Sequence, residues 1–568
     1  MSKNSGIPSA TLLLLGACGG SGSGGVNTPP PPPPAPTNTI ITDLKASQNF
    51  VSDAAGMKVS FDTVTNTGIN GEIRPNSLTI SYNADTKTYS VSADGRSQNF
   101  TPADIKSNAD GETIYEKPDG AHEHLTIVTT PYSSSTSNKY VGLAYWQRNV
   151  LTDTRQDMDF YVLTYGLPTA AAGVPRTGTA GFRTDTFGAV SFPGEEPRSF
   201  NGQGEFSVDF AAGVFSTHSY LTETTLVTGG SESGGGMEFI GAGHLSSSDG
   251  SFSGNALYRG RFGGAAGTLS GRFYGPAGEE LGGAFSGSNT AGMTVVGGFT
   301  GQRDANVIPE NLTLTNLTKS QLFYTRFQHN LVGQLNRQNS ETFSYSTPTS
   351  DLYGGHFTIN DKVASSDPNF VTYRKSFSSS YDTQDVELRL YKPGPDNSEL
   401  ALTYASFVHY STSVPFAGGR TAIEQYAAYG LETPPGLLAG KTGTGSYSGV
   451  LYATGQQYPS TTSYAVKGTS QFTVDFGAQS YTGVLGMAGT ASDGSGTVEF
   501  GNYDVAGTLG MVGASGTVSR NGTPTGEFTP FFYGPDGEEI VAPFSTTAPI
   551  GAPGAGITIA GVAAAKRE

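Results

Sequence analysis

One thirteen-residue stretch occurs twice, and the repeat constrains the fold more than any other feature of the chain. Phe273-Tyr-Gly-Pro-Ala-Gly-Glu-Glu-Leu-Gly-Gly-Ala-Phe285 recurs as Phe532-Tyr-Gly-Pro-Asp-Gly-Glu-Glu-Ile-Val-Ala-Pro-Phe544, with eight of thirteen positions identical. Upstream, Phe206-Ser-Val-Asp-Phe210 matches Phe472-Thr-Val-Asp-Phe476, Thr177-Gly-Thr179 matches Thr442-Gly-Thr444, and Tyr165-Gly-Leu167 matches Tyr429-Gly-Leu431. The order is preserved at a spacing of about 260 residues, which is too long for a stacked repeat and implies two copies of a whole lobe.

Each copy has a polar, irregular first part and a glycine-rich, alternating second part. In Phe206-Ser-Val-Asp-Phe210 the spacing puts Phe206, Val208 and Phe210 on one strand face and Ser207 and Asp209 on the other. Tyr274-Gly-Pro-Ala-Gly278 supplies a tight turn, since Pro suits its first corner and Gly its later ones. With 79 Gly, 28 Tyr and 32 Phe and only 14% charged residues, the composition points to an all-β protein of many short strands. The expectation is two homologous lobes, each a β-rich handle domain followed by a soluble eight-stranded antiparallel β-barrel. The handles are placed at 41–168 and 303–430 and the barrels at 169–302 and 431–568.

The duplication also disposes of a nucleotide-binding reading. Gly436-Leu-Leu-Ala-Gly-Lys-Thr-Gly-Thr-Gly445 resembles a phosphate loop, but three residues rather than four separate Gly436 from Gly440. Its first-lobe counterpart, Pro175-Arg-Thr-Gly-Thr179, has no glycine before the basic residue. The net charge of −16 disfavours nucleic acid.

The single cysteine, Cys18, closes Leu12-Leu-Leu-Leu-Gly-Ala-Cys18, the pattern of a bacterial lipobox. Residues 1–18 are therefore expected to be a lipoprotein signal peptide, with Cys18 the lipid attachment site. Residues 19–40 carry Gly19-Gly-Ser-Gly-Ser-Gly-Gly25 and the prolines Pro29 to Pro34, a flexible then stiff tether.

Lipobox, tether, doubled lobes and doubled F-Y-G-P-x-G-E-E motif together resemble transferrin-binding protein B and its surface-lipoprotein relatives. The chain departs from the type member in being shorter and in lacking further cysteines in the second lobe. The resemblance implies lipid anchorage at the outer face of an outer membrane, with the lipid as the sole membrane contact. It implies capture of an iron-bearing host protein or another solute, and delivery to a TonB-dependent channel. A haem-binding surface lipoprotein and a structural or adhesin role are the alternatives.

No enzyme and no cofactor is expected. The adjacent pairs Glu279-Glu280 and Glu538-Glu539 would point to opposite strand faces, and their repetition after a turn suggests bonding to neighbouring backbone N–H groups. His122 and His124 share a face if extended, with no third ligand nearby. A membrane-spanning barrel is disfavoured because the outer strand faces carry Ser, Thr, Asp and Arg. Ligand contact is expected on two first-lobe loops. Phe187-Gly-Ala-Val-Ser-Phe-Pro-Gly-Glu-Glu-Pro-Arg-Ser-Phe200 offers Phe187, Phe192, Arg198 and Phe200, the residue types of contact hot spots, and 227–236 is a glycine-rich flap. Tyr145, Trp146 and Arg148 in the handle are the next candidates.

Overall fold

The computed structural model describes residues 37–568 apart from short segments at 75–77, 119, 133, 135, 339–341, 349, 379–382, 417–418, 459–461, 511–512 and 550–555. Cys18 and residues 19–36 lie outside the described residues. The chain is all-β and bilobed, each lobe a strand-built handle followed by an eight-stranded antiparallel barrel.

The first barrel is closed by β1 (Thr179–Ser191), β2 (Arg198–Asp209), β3 (Val214–Thr225), β4 (Ser231–Leu245), β5 (Phe252–Gly260), β6 (Gly263–Tyr274), β7 (Glu280–Ser288) and β8 (Thr294–Arg303), with β8 pairing back onto β1. Alternation sends one side chain in two to the interior. There Phe182, Phe200, Phe206, Phe239, Phe252, Phe273, Phe285 and Phe299 pack together. Phe239 stacks on Phe285 with ring centroids 4.0 Å apart, and Phe206 on Phe215 at 5.0 Å. An eight-stranded barrel is just wide enough for its own side chains. Filled with phenylalanine, this one is a core and not a ligand cup.

The second barrel comprises β9 (Thr444–Tyr458), β10 (Ser463–Asp475), β11 (Ser480–Ala491), β12 (Thr497–Gly510), β13 (Gly513–Arg520), β14 (Thr523–Phe528), β15 (Glu539–Pro549) and β16 (Gly556–Arg567). It closes where β14 pairs with β15. Its interior is again aromatic, with Tyr447, Phe472, Phe500, Tyr503, Phe528 and Phe544 buried.

The first handle has two layers. A four-stranded sheet (Gln48–Phe50, Thr79–Asn83, Thr88–Ala93, Arg96–Phe100) packs on a seven-stranded sheet through Phe50, Leu78, Val91, Phe100, Leu125, Trp146, Leu163 and Tyr165. The other face of the larger sheet, with Met57, Val59, Leu143 and Val162, packs on the barrel wall at Ala189, Ala284 and Val296. Small residues make that approach possible: a Cβ on Gly298 would stand 2.8 Å from Leu143 and 2.9 Å from Val162. In the second lobe the corresponding strands form one nine-stranded sheet.

One expectation needs correction. Ser207 and Asp209 point outward as read, yet they are buried, at 2% and 3% exposure. The inter-lobe linker covers them: Glu310 donates its N–H to Ser207 Oγ at 3.0 Å, and Asn316 donates to Asp209 at 2.8 Å. The lobe linker is thus a third layer, invisible to strand periodicity. The phosphate-loop lookalike is a 3₁₀ turn, Leu437–Gly440, and Lys441 is tied to Asp536 and lies over the Phe476 ring.

Candidate functional site

With both barrel interiors filled, a ligand surface must lie at a barrel end or on an outer face. The hairpins β1–β2, β3–β4, β5–β6 and β7–β8 all turn at one end of the first barrel, and residues 192–197, 226–230 and 261–262 form three of those turns. This brings together the two loops singled out in the sequence. Glu196 accepts the N–H groups of Val227 (2.7 Å) and Thr228 (2.8 Å) and the Thr228 hydroxyl (2.8 Å). Burial alone would raise its pKa; the bonds from Thr228 and Val227 outweigh that and hold it below the usual glutamate range.

Between the loops sits a ring-and-charge cluster. Phe192 stacks on Phe262 at 5.8 Å, and the Arg198 guanidinium lies 5.1 Å over the Phe262 ring. Arg198 is 7% exposed. It faces Glu223 at 3.6 Å and Glu232 at 3.7 Å, ion-pair rather than hydrogen-bond distances, and its Nε and Nη1 have no hydrogen-bond partner. Glu223, 1% exposed, instead accepts the Tyr258 hydroxyl at 2.5 Å and the Arg261 N–H at 3.1 Å. Burial, reinforced by this carboxylate, pushes the Tyr258 phenol well above its ordinary pKa. Arg261 pairs with Glu232. Outside the cluster Leu226 and Val227 stand 44% and 51% exposed. The tip therefore offers apolar surface and two half-covered rings above a buried arginine, and aromatic anchors of this kind are found at the centre of protein interfaces.

The remaining candidates divide. Phe200 is inside the barrel at 1% exposure and Trp146 inside the handle at 3%, stacked on Tyr161 and donating to Glu123. Both are core residues, because their strand positions point inward. Phe187 is on β1, not in a loop, and stacks on Tyr145 at 4.9 Å along the seam between barrel and handle. Arg148 lies 3.6 Å from Glu123 and 3.7 Å from Asp159. His124 stands 3.9 Å from Glu116, and burial lowers its pKa. Among the described residues no group of three or more His, Cys, Asp or Glu side chains could hold a metal ion. No helix among them is long and apolar enough to cross a membrane, which leaves strand-built membrane barrels unaddressed.

Sequence reasoning missed Phe262, Arg261, Glu223 and Glu232. A signal existed for the first two: Arg259-Gly-Arg-Phe-Gly-Gly264 interrupts two alternating stretches and so marks a hairpin tip. The carboxylates carried none, since Glu223 sits at an inward position where a hydrophobe is expected. Of the matching second-barrel turns, 459–461 and 550–555 lie outside the described residues, whereas 492–496 and 521–522 are described.

The paired glutamates resolve cleanly. Glu280 accepts three successive backbone N–H groups, from Lys139 (2.7 Å), Tyr140 (2.8 Å) and Val141 (3.0 Å). Glu539 does the same with Thr403 (2.6 Å), Tyr404 (2.8 Å) and Ala405 (2.8 Å). Both lock a barrel to its handle, and burial raises both pKa values against the lowering effect of those bonds.

No family model matches the chain and no curated protein matches it. Solved structures do. The chain is similar to transferrin-binding protein B. A double mutant of that protein from Haemophilus parasuis Hp5 shares 15% identity over 91% of this chain and 95% of its own, with a TM-score of 0.27. The isotype 1 protein of serogroup B Neisseria meningitidis shares 18% identity over 76% and 86%, at a TM-score of 0.25. The N-lobe of lactoferrin-binding protein B of Moraxella bovis shares 15% over 44% and 99%, at 0.22. At such TM-scores these likenesses carry no argument, and the bilobed fold rests on the strand order and register described above.

Proposed function

We propose that the protein is a lipid-anchored receptor on the outer surface of an outer membrane, which captures an iron-bearing protein or another solute through the tip of its first barrel and passes it to a TonB-dependent channel. Binding, not catalysis, is the activity. The single observation that supports the capture site is the surface of the tip: exposed Leu226 and Val227 beside the half-buried Phe192–Phe262 ring pair, with Arg198 packed on Phe262 beneath them. Phe187 of the barrel and Tyr145 of the handle, stacked at the seam, form a second contact patch; Arg148 lies on the opposite face of the handle sheet, on the same Asp159 that pairs with Arg96. The iron-carrier identity and the channel come from the sequence resemblance, as does anchorage through Cys18.

Two measurements test this reading. Calorimetry with iron-loaded and iron-free transferrin- and lactoferrin-type proteins, and with a haem protein, should find one that binds. The Phe192→Ala/Arg198→Ala double variant should then lose about 2 kcal/mol or more of binding. Unchanged affinity in that variant removes the tip from the site. In cells, Cys18→Ala should abolish labelling by a palmitate analogue and release the protein from the membrane fraction; equal labelling of both forms refutes anchorage there.

A further inference from the structure

Between the lobes lies a cleft of about 790 Å³ that the capture reading does not use. One wall is the outer face of β2 and β3. Here Gln203 stands opposite Tyr220, and Glu205 opposite His218, in the antiparallel register. The floor is the linker at Glu310 and Leu312, and the far wall is the first strand of the second handle at Leu322 and Tyr324. Two tyrosine rings face solvent across it, Tyr220 at 70% and Tyr324 at 52% exposure, with Leu322 at 40% beside them. Exposed rings on opposing walls are unusual when neither packs into a core.

The charges around the cleft are unevenly settled. Arg183 is held by Asp304 at 3.1 Å, Arg259 by Glu238 at 2.5 Å, and Arg326 by both oxygens of Glu432 at 2.7 and 2.8 Å. His218 is taken by the same Glu238 at 2.8 Å. Each arginine is thus matched by a carboxylate, whereas Glu205, with Arg183 and His218 as its cross-strand neighbours, and Glu310 make no ion pair among the described residues. Glu205 and Tyr220 are diagonal neighbours on one sheet face, roughly 7 Å apart at Cβ. The Tyr324 ring already has a guanidinium over one face, Arg326 at 5.8 Å, so a docked cation must take the ring's other face.

We infer that this cleft is a docking groove for a basic segment of a partner protein, whose Lys or Arg heads lie against the Tyr220 and Tyr324 rings and pair with Glu205 and Glu310, their methylene stems covering Leu322. Charge complementarity favours this occupant over an acidic or neutral one: among the described residues Glu205 and Glu310 make no ion pair, while Arg183, Arg259 and Arg326 each do. The volume suits a short peptide. The surface is independent of the barrel tip, so the two readings fail separately.

The test uses the full-length chain carrying Cys18→Ala and a fluorescein-labelled Gly-Arg-Ser-Arg-Gly-Arg peptide, followed by fluorescence anisotropy. Saturable one-to-one binding is expected, weakened at least tenfold by Glu205→Gln/Glu310→Gln and by Tyr220→Ser/Tyr324→Ser, and weakened by added salt. Phe262→Ala at the tip should leave it unchanged. Circular dichroism checks folding, and Glu310→Gln alone, on the linker, serves if a double variant is unstable. Absence of saturable binding, equal binding of the Glu-substituted peptide, or full affinity in the glutamine variants overturns the proposal. Complete displacement by spermidine at equal amine concentration also overturns it, in favour of a free polycation.

Discussion

A single carboxylate, placed twice, does much of the work of joining barrel to handle. Glu280 and Glu539 each gather three consecutive N–H groups at the start of a handle strand, where Val141 pairs with Gly166 and Ala405 with Gly430 in the ladder. Glutamine in either place keeps one acceptor oxygen and turns an amide N–H₂ toward the donor that the other oxygen had served. Glu280→Gln and Glu539→Gln should therefore each cost about 1–3 kcal/mol in denaturant unfolding of the full chain. Two unfolding curves superimposable on the parent would show that the bonds contribute nothing net. The neighbouring glutamates have diverged in use. Glu279 accepts the Ala277 N–H within its own turn at 2.8 Å, whereas Glu538 both accepts the Asp536 N–H at 2.9 Å and meets His244 of the other lobe at 2.6 Å. The repeat of the motif was readable in the sequence, and so was a backbone-bonding role. The receiving residues, some 140 positions upstream, were not, because nothing local at Lys139 or Thr403 announces a missing partner.

At the scale of elements, strand alternation and turn chemistry made the barrels legible: Phe206, Val208 and Phe210 are all in the core. The same alternation misled where an outward face is covered by something other than water, as at Ser207 and Asp209, and where an inward face holds a charge, as at Glu223. Only the tertiary arrangement decides those cases. The short turn Leu437–Gly440 is another. Leu437 is fully buried against Ala242, Leu257 and Ala266 of the first barrel, and a Cβ on Gly440 would come within 2.9 Å of the Ala266 backbone. A turn that reads like a phosphate loop is in fact a wedge between lobes. Leu437→Ala should weaken that contact by about 2–4 kcal/mol. The measurable outcome is faster proteolysis of the linker at 304–320, with each lobe still resistant. Cleavage at the parental rate would assign lobe contact to other residues.

For the molecule as a whole, each lobe has its own aromatic cores, so chains ending and starting near residue 303 should each unfold cooperatively by circular dichroism. Loss of cooperativity in both would refute the two-lobe organisation. Beside the apolar contacts of Leu437 and Val214, polar bonds join the lobes: Asn255 donates to Asp536 at 2.9 Å, Arg259 to the Pro435 carbonyl at 2.7 Å, and His244 pairs with Glu538. The last of these titrates in a useful range. The bond to Glu538 raises the His244 pKa above its ordinary 6.5, and the charge of Glu538 and Asp536 adds to this against burial and Lys441. Docked lobes therefore hold the His244 proton more tightly than separated ones. The favourable contribution is complete below about pH 6.5 and declines as pH rises through the raised value. Of the other charges in the cluster, Asp536, lowered, and Arg567, raised, stay ionised over that window, while burial lowers the Lys441 pKa; the His244→Gln variant separates the histidine from that lysine. Because His244 is about half exposed, solvent screening limits the effect to a few-fold. Association of the two separately produced halves, followed by calorimetry from pH 5.5 to 8.5, should tighten toward the acid end, and His244→Gln should flatten the profile. A profile that is equally steep in the variant would place the pH dependence elsewhere in the interface.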